Sequence, residues 1–154
     1  EPTCKAFRNV VYEIAKSLGY SIKNGGTYIC IEGPQFSSKA ESFLWRSFGV
    51  DVIGMTNMPE AKLAKEAELC YVTLALSTDY DCWHEVETPV TVDMIIKTLM
   101  ENVEKAKNIL KKIPEKVNDI AECNCGEALK YAIITDRNAI PEETKKKLEA
   151  IVKL

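Results

Sequence analysis

Two carboxylates one residue apart, Asp79 and Asp81, follow the apolar run Tyr71-Val72-Thr73-Leu74-Ala75-Leu76 and the short Ser77-Thr78. That run reads as a buried strand, and ligand sites in open α/β sheets lie at strand C-termini. Paired acids there can hold the polar edge of a base and deliver a proton to it. Position alone also fits a plainer role, ending a strand and opening a turn. A second loop, Glu32-Gly33-Pro34-Gln35-Phe36-Ser37-Ser38-Lys39-Ala40-Glu41, holds a strand end, a tight turn, an aromatic and a helix start. Phe36 can stack on an aromatic ligand, or fill the core under a βα turn. A third loop is Gly54-Met55-Thr56-Asn57-Met58-Pro59-Glu60. Its Thr hydroxyl and the following helix amides can hold an anion such as phosphate, or Thr56 and Asn57 can simply cap the helix. If all three loops follow strands of one parallel sheet, they converge on one crevice. An aromatic, a thioether, a hydroxyl and two acids together suit a nucleoside.

Other reactive residues carry less. His84 is the only histidine. It has no Ser or Cys nucleophile motif around it, and Trp83 and Glu85 suggest a surface-edge loop. Ser37-Ser38 lacks the G-x-S-x-G setting of a hydrolase nucleophile. There are six cysteines. Cys4, Cys30, Cys70 and Cys82 lie in or beside apolar segments and are expected to act as small buried hydrophobes. Cys123-Asn124-Cys125 sits in a polar stretch, where a disulfide would close a small, strained and easily reduced ring. Two thiolates without a second pair or a histidine nearby do not complete a tetrahedral zinc site, so no metal is expected.

The loops need a scaffold, and the periodicity supplies one. Phe7, Val10, Val11, Ile14, Ala15 and Leu18 recur at helical spacing over residues 3–18, and Gly19 closes that helix. Residues 26–31 read as a strand, and Ser38-Lys39-Ala40-Glu41 resembles a capping box opening a helix through Arg46. Gly49 ends it; residues 50–54 form a strand, and Pro59 opens a helix to about Ala67. Residues 70–77 form a third strand. A long helix runs from Thr91 with Val92, Ile95, Ile96, Leu99, Val103, Ala106 and Leu110 on one stripe, and Pro114 just beyond its end. Two further helical stretches lie near 127–133 and 141–152, the second rich in Lys and Glu. The order α-β-α-β-α-β-loop-α predicts an α/β fold with parallel pairing.

With 154 residues the chain is one domain of ordinary size, or a large piece of one. A 46% hydrophobic and 28% charged composition is that of a soluble globular protein. A net charge of −3 argues against a nucleic-acid surface, and no apolar run approaches the roughly 18 residues of a membrane span. No signal peptide is visible. The opening on Glu1-Pro2, with a helix first and no Gly-rich turn, suggests the second half of a larger α/β domain.

Three segments together carry a resemblance. They are Ile31-Glu32-Gly33-Pro34-Gln35-Phe36-Ser37-Ser38-Lys39-Ala40-Glu41-Ser42, Val52-Ile53-Gly54-Met55-Thr56-Asn57-Met58-Pro59-Glu60 with Leu63-Ala64-Lys65-Glu66, and Thr78-Asp79-Tyr80-Asp81-Cys82-Trp83. In residues, spacing and order they resemble the C-terminal half of the S-methyl-5′-thioadenosine phosphorylases, trimer-forming members of the purine nucleoside phosphorylase family. The resemblance spans about residues 1–114, with 115–154 a helical tail, and implies the C-terminal part of a three-layer α/β/α domain. The Cys-Asn-Cys is similar to the C-terminal CxC of archaeal, heat-loving members, where such cysteines form disulfides.

The resemblance implies phosphorolysis of 5′-methylthioadenosine to adenine and 5-methylthioribose 1-phosphate. Asp79 would donate a proton at N7 of the leaving base, and Asp81 would accept from the 6-amino group. Two acids suit adenine, whose N6 donates; a 6-oxopurine presents an acceptor there. Phe36, Met55, Asp79, Tyr80 and Asp81 are then substrate-binding, Phe36 against the base and Met55 against the ribose. Thr56 is a phosphate ligand. Ser37 and Val92 match positions that shape substrate choice, and Val92, Ile95 and Ile96 would line the apolar side that takes the methylthio group. Gly54 departs from relatives that carry Asn, with little effect expected on chemistry. No cofactor is implied, phosphate being a co-substrate. The family's glycine-rich phosphate loop, Arg-His pair and further Thr ligand belong to its N-terminal half, so this polypeptide is expected to need that half to turn over. The implied partners are that half and further copies in a trimer or hexamer, with no nucleic acid or membrane, in the cytoplasm. A 6-oxopurine or broad-specificity phosphorylase of the same family, or a non-catalytic nucleoside-binding fragment, are the alternatives.

Overall fold

The computed structural model describes residues 1–84 and 91–152. Strands β1 (Tyr28–Cys30) and β2 (Val52–Gly54) pair in parallel, with Tyr28 opposite Val52, Ile29 opposite Ile53 and Cys30 opposite Gly54. The chain must cross over between parallel strands, and it does so through a helix. Before β1 stands α1 (Lys5–Ser17), and α2 (Lys39–Ser47) makes the crossover. After β2 come α3 (Asn57–Glu66), the long α4 (Val92–Lys116) and the short α5 (Glu142–Leu148).

Local chemistry sets the helix ends. Ser38 caps α2 in a full capping box: Glu41 N–H donates to the Ser38 hydroxyl, and the Glu41 carboxylate accepts from the Ser38 backbone at 2.7 Å. Those hydrogen bonds from the Ser38 backbone and side chain hold the Glu41 carboxyl below the usual carboxylate range. Gly19, at φ 75°, closes α1: its N–H bonds to Lys16 at 2.9 Å, and Tyr20 N–H to Ala15 at 3.0 Å. This is the paired termination that a left-handed residue after a helix makes. Gly49 repeats it after α2.

The stripe read on the first helix is the core. Val11, Ile14 and Ala15 of α1 pack with Ile109 of α4, and Phe7, Val10 and Leu18 flank them. Val72, Leu74 and Ile113 close the cluster, so the segment before the acidic loop is seated against α1 and α4.

Four expectations are corrected. Residues 70–77 are not a strand: among the described residues the sheet has only β1 and β2. The segment makes a backbone bond from Cys4 N–H to Tyr71 O at 2.7 Å, and the carbonyl of Ser77 accepts from Asn102 Nδ2 at 2.8 Å. Apolar content seats it in the core, but a strand requires a neighbour's ladder. Pro114 lies inside α4 rather than beyond it. Placed in the last turn, it forfeits only the bond to the carbonyl of Leu110. The stretch near 127–133 is a 3₁₀ turn, Cys125–Glu127, and successive turns, with Tyr131 exposed on no packing surface that would reward a helix. Finally, Cys70 and Cys82 are exposed; of the four cysteines expected as buried hydrophobes, Cys4 is buried and Cys30 half-buried.

Candidate active site

The two loops that follow the paired strands touch. Gly33 sits at φ 73°, and a Cβ there would stand 2.7 Å from Met55 Sδ. Gly33 is therefore required both for its backbone conformation and for the approach of Met55. At position 54 any side chain would run into the Tyr28 hydroxyl, which gives the glycine there a packing reason. Phe36 is 86% exposed at the tip of the first loop, so it is not a core residue. Thr56 precedes α3, whose backbone leaves helical geometry at Met58 (φ −122°, ψ 135°), and it makes no side-chain capping bond. Thr56 is exposed, while Asn57 is buried and accepts from Thr73 Oγ1 at 2.5 Å and from the Tyr71 hydroxyl at 3.2 Å.

The acidic loop is tied to α2 and to the first loop. Asp81 is half-buried; its Oδ2 accepts from the Ser42 hydroxyl at 2.5 Å and its Oδ1 from Cys82 N–H at 2.9 Å. Ser42 is itself buried, on the inner face of α2. The Cys82 thiol donates to the carbonyl of Ser37 at 3.4 Å. Trp45 Nε1 donates to the Ser37 hydroxyl at 3.2 Å. The Arg46 guanidinium lies 3.7 Å over the Trp83 ring, a cation–π contact that pins the end of α2 to the loop. Asp79 is exposed and accepts from the Thr78 hydroxyl at 2.7 Å. Tyr80 is exposed and stacks on His84, with ring centroids 4.4 Å apart. His84 is half-buried, and its Nδ1 is buried without a hydrogen-bond partner among the described residues; Glu85 lies outside them.

The structure thus brings Ser37, Asp81 and the loops of Met55 and Phe36 into one neighbourhood. Val92 and Ile96 stand exposed and Ile95 half-buried on the first turns of α4, and no described contact joins them to the acids. Ser42 is the residue that sequence reasoning missed. Its signal was weak: a lone serine on the inward face of a short helix otherwise rich in Phe, Leu and Trp.

The cysteines depart furthest from expectation. The sulfurs of Cys4, Cys70, Cys123 and Cys125 all lie within 4.8 Å of one another. The Cys-Asn-Cys pair has the second pair that its sequence surroundings did not offer. A cavity of about 690 Å³ opens beside them, lined by Cys4, Cys123, Cys125, Lys5 and Lys65, and none of the nucleoside-site candidates borders it.

A parallel βαβ unit whose two strand-end loops meet at Gly33 and Met55 defines an α/β protein. The phosphorylase superfamily pattern matches residues 1–115, and the chain belongs to that superfamily. It is 53% identical to the S-methyl-5′-thioadenosine phosphorylase of Geobacter sulfurreducens over 152 residues, 99% of this chain and 53% of that protein. It is 51% identical to the enzyme of that name from Koribacter versatilis, over 99% of this chain and 52% of that one. Among solved structures, a methylthioadenosine phosphorylase from an antarctic soil metagenomic library superposes with a TM-score of 0.88 at 39% identity, covering 99% of this chain and 54% of that one. The Schistosoma mansoni methylthioadenosine phosphorylase in complex with adenine gives a TM-score of 0.68 at 30% identity, over 83% and 50% of the two chains. The chain spans about half the length of the curated relatives it matches.

Proposed function

We propose that the protein serves the phosphorolysis of 5′-methylthioadenosine, as the part of a phosphorylase that binds and protonates the purine. Phosphate oxygen attacks the anomeric carbon, the N-glycosidic bond breaks, and its electron pair leaves with the adenine. Asp79 donates a proton to N7 as that charge develops. Asp81, with one oxygen on Ser42 and the other on Cys82 N–H, keeps lone pairs for the 6-amino group of adenine. Phe36 covers the base, Tyr80 and Ser37 border it, and Met55 backs the ribose. The uncapped hydroxyl of Thr56 and the α3 amides contribute to phosphate binding. Val92, Ile95 and Ile96 offer an apolar wall for the methylthio group.

The observation that carries this reading is the buried Ser42 holding Asp81 beside a solvent-facing Asp79. A buried hydroxyl is costly only when left without a partner, and Ser42 meets that need with the Asp81 carboxylate it orients. Relatives 53% and 51% identical to this chain are named S-methyl-5′-thioadenosine phosphorylase.

The remaining phosphate ligands are assigned to a preceding half of the enzyme, and the working unit to a homo-oligomer, a trimer or hexamer, in the cytoplasm. Among the described residues no helix is long and apolar enough to cross a membrane. Large apolar side chains that a second polypeptide surface would cover stand exposed on α2 (Phe43, Leu44), just after it (Phe48) and on α4 (Met94, Leu99, Met100).

Steady-state assays of the complete protein with methylthioadenosine, adenosine and inosine test the substrate class. The expected order places methylthioadenosine first and inosine last by a wide margin. A preference for inosine would refute the assignment of the two acids to adenine.

A further inference from the structure

We propose that Cys4, Cys70, Cys123 and Cys125 form a tetrahedral Cys₄ site that holds one zinc ion and fastens the tail to the α/β core. The four come from three separate places: the N-cap of α1, the turn that follows α3, and the 3₁₀ turn of the tail. Every sulfur neighbours the other three within 4.8 Å, and the Cys70 and Cys123 sulfurs are 3.4 Å apart. Ligands about 2.3 Å from a central zinc stand roughly 3.8 Å from one another, so modest adjustment closes the shell. A set of four sulfurs and no nitrogen or oxygen selects a soft, tetrahedral ion.

The surroundings suit a dianionic tetrathiolate. Phe7 N–H donates to Cys4 Sγ at 3.4 Å, at the positive end of α1. Lys5 and Lys65 line the adjoining cavity, with Glu1 and Glu122 the acidic residues on its wall. The cavity provides an entry path. Binding is a ligand exchange: Zn²⁺ sheds its waters, four thiols lose their protons to solvent, and nothing is oxidised or reduced. Such a closed site has no open coordination position, so its role is structural. It joins α1, the end of α3 and the tail, beside the bond from Leu129 N–H to Glu68 Oε1 at 3.0 Å.

The protein purified with reductant and without chelator is the material for the test. Elemental analysis should give about one zinc per chain. Replacement by Co²⁺ should give sulfur-to-cobalt charge-transfer bands and the intense visible bands of tetrahedral cobalt. Cys123→Ser/Cys125→Ser should lose the zinc, whereas Cys30→Ser should keep it. If the double variant fails to fold, the cobalt spectrum and X-ray absorption of the wild type still count the sulfurs. Four sulfurs about 2.3 Å from zinc are expected. An intact mass four hydrogens below the reduced chain, with no metal, would mean two disulfides and overturn the proposal. So would iron in place of zinc, or a metal-free protein with all four thiols reactive.

Discussion

Asp79 and Asp81 are chemically identical side chains in different surroundings. Asp81 is half-buried and held at both oxygens, whereas Asp79 is exposed and bonded to the hydroxyl of Thr78. In the proposed mechanism the fixed Asp81 recognises the base and Asp79 hands over the proton. Ser42→Ala leaves the half-buried Asp81 Oδ2 without its donor, which costs about 1 kcal/mol of stability, the net worth of one hydrogen bond. As a positioning change it should raise KM for methylthioadenosine severalfold while kcat moves less. Denaturant melts and steady-state kinetics separate the two. An unchanged KM with a large loss of kcat would place Ser42 in the chemistry instead. The acids and Phe36 stand out as candidates in sequence because their residue types imply chemistry. Ser42 does not, because its meaning lies in a contact with a residue 39 positions away.

The helices α1 to α4 were legible because their signals are local, whereas the stretch near 127–133 is not a helix. The capping box of α2 and the closing Gly19 and Gly49 stand where the spacing placed them. The third strand failed because apolar content reports burial, whereas strand identity depends on a partner's ladder that no local pattern encodes. The capping box also makes a prediction. Glu41 has a carboxyl lowered by its Ser38 bonds, so its stabilising effect is present above the ordinary carboxylate range. It is lost as pH falls through the lowered folded value. Glu41→Ala should therefore destabilise at neutral pH and match the wild type in strong acid. Thermal melts across the acid range check this. A deficit that persisted unchanged at low pH would show that the carboxylate is not what caps α2.

For the whole molecule, the buried core joins α1 to α4 and seats Val72 and Leu74 ahead of the acidic loop, while α2 buries Ser42 and α3 buries Asn57 and Ala61. The loops are thus positioned by few contacts, and the exposed apolar faces of α2 and α4 are consistent with a larger assembly. The cysteine cluster shows the same limit of sequence reading at this scale. Cys70 and Cys123 are 53 positions apart and meet only through the fold. The central claim is that Asp79 protonates the departing purine, and one comparison tests it most directly. It is phosphate-dependent adenine release from methylthioadenosine by the complete protein, wild type against Asp79→Asn, with melting temperatures measured alongside. Loss of a general acid should cut kcat by about 10²–10⁴-fold with the melting temperature nearly unchanged. A variant that keeps its turnover and merely melts lower would contradict the account, as would a complete wild-type protein that releases no adenine.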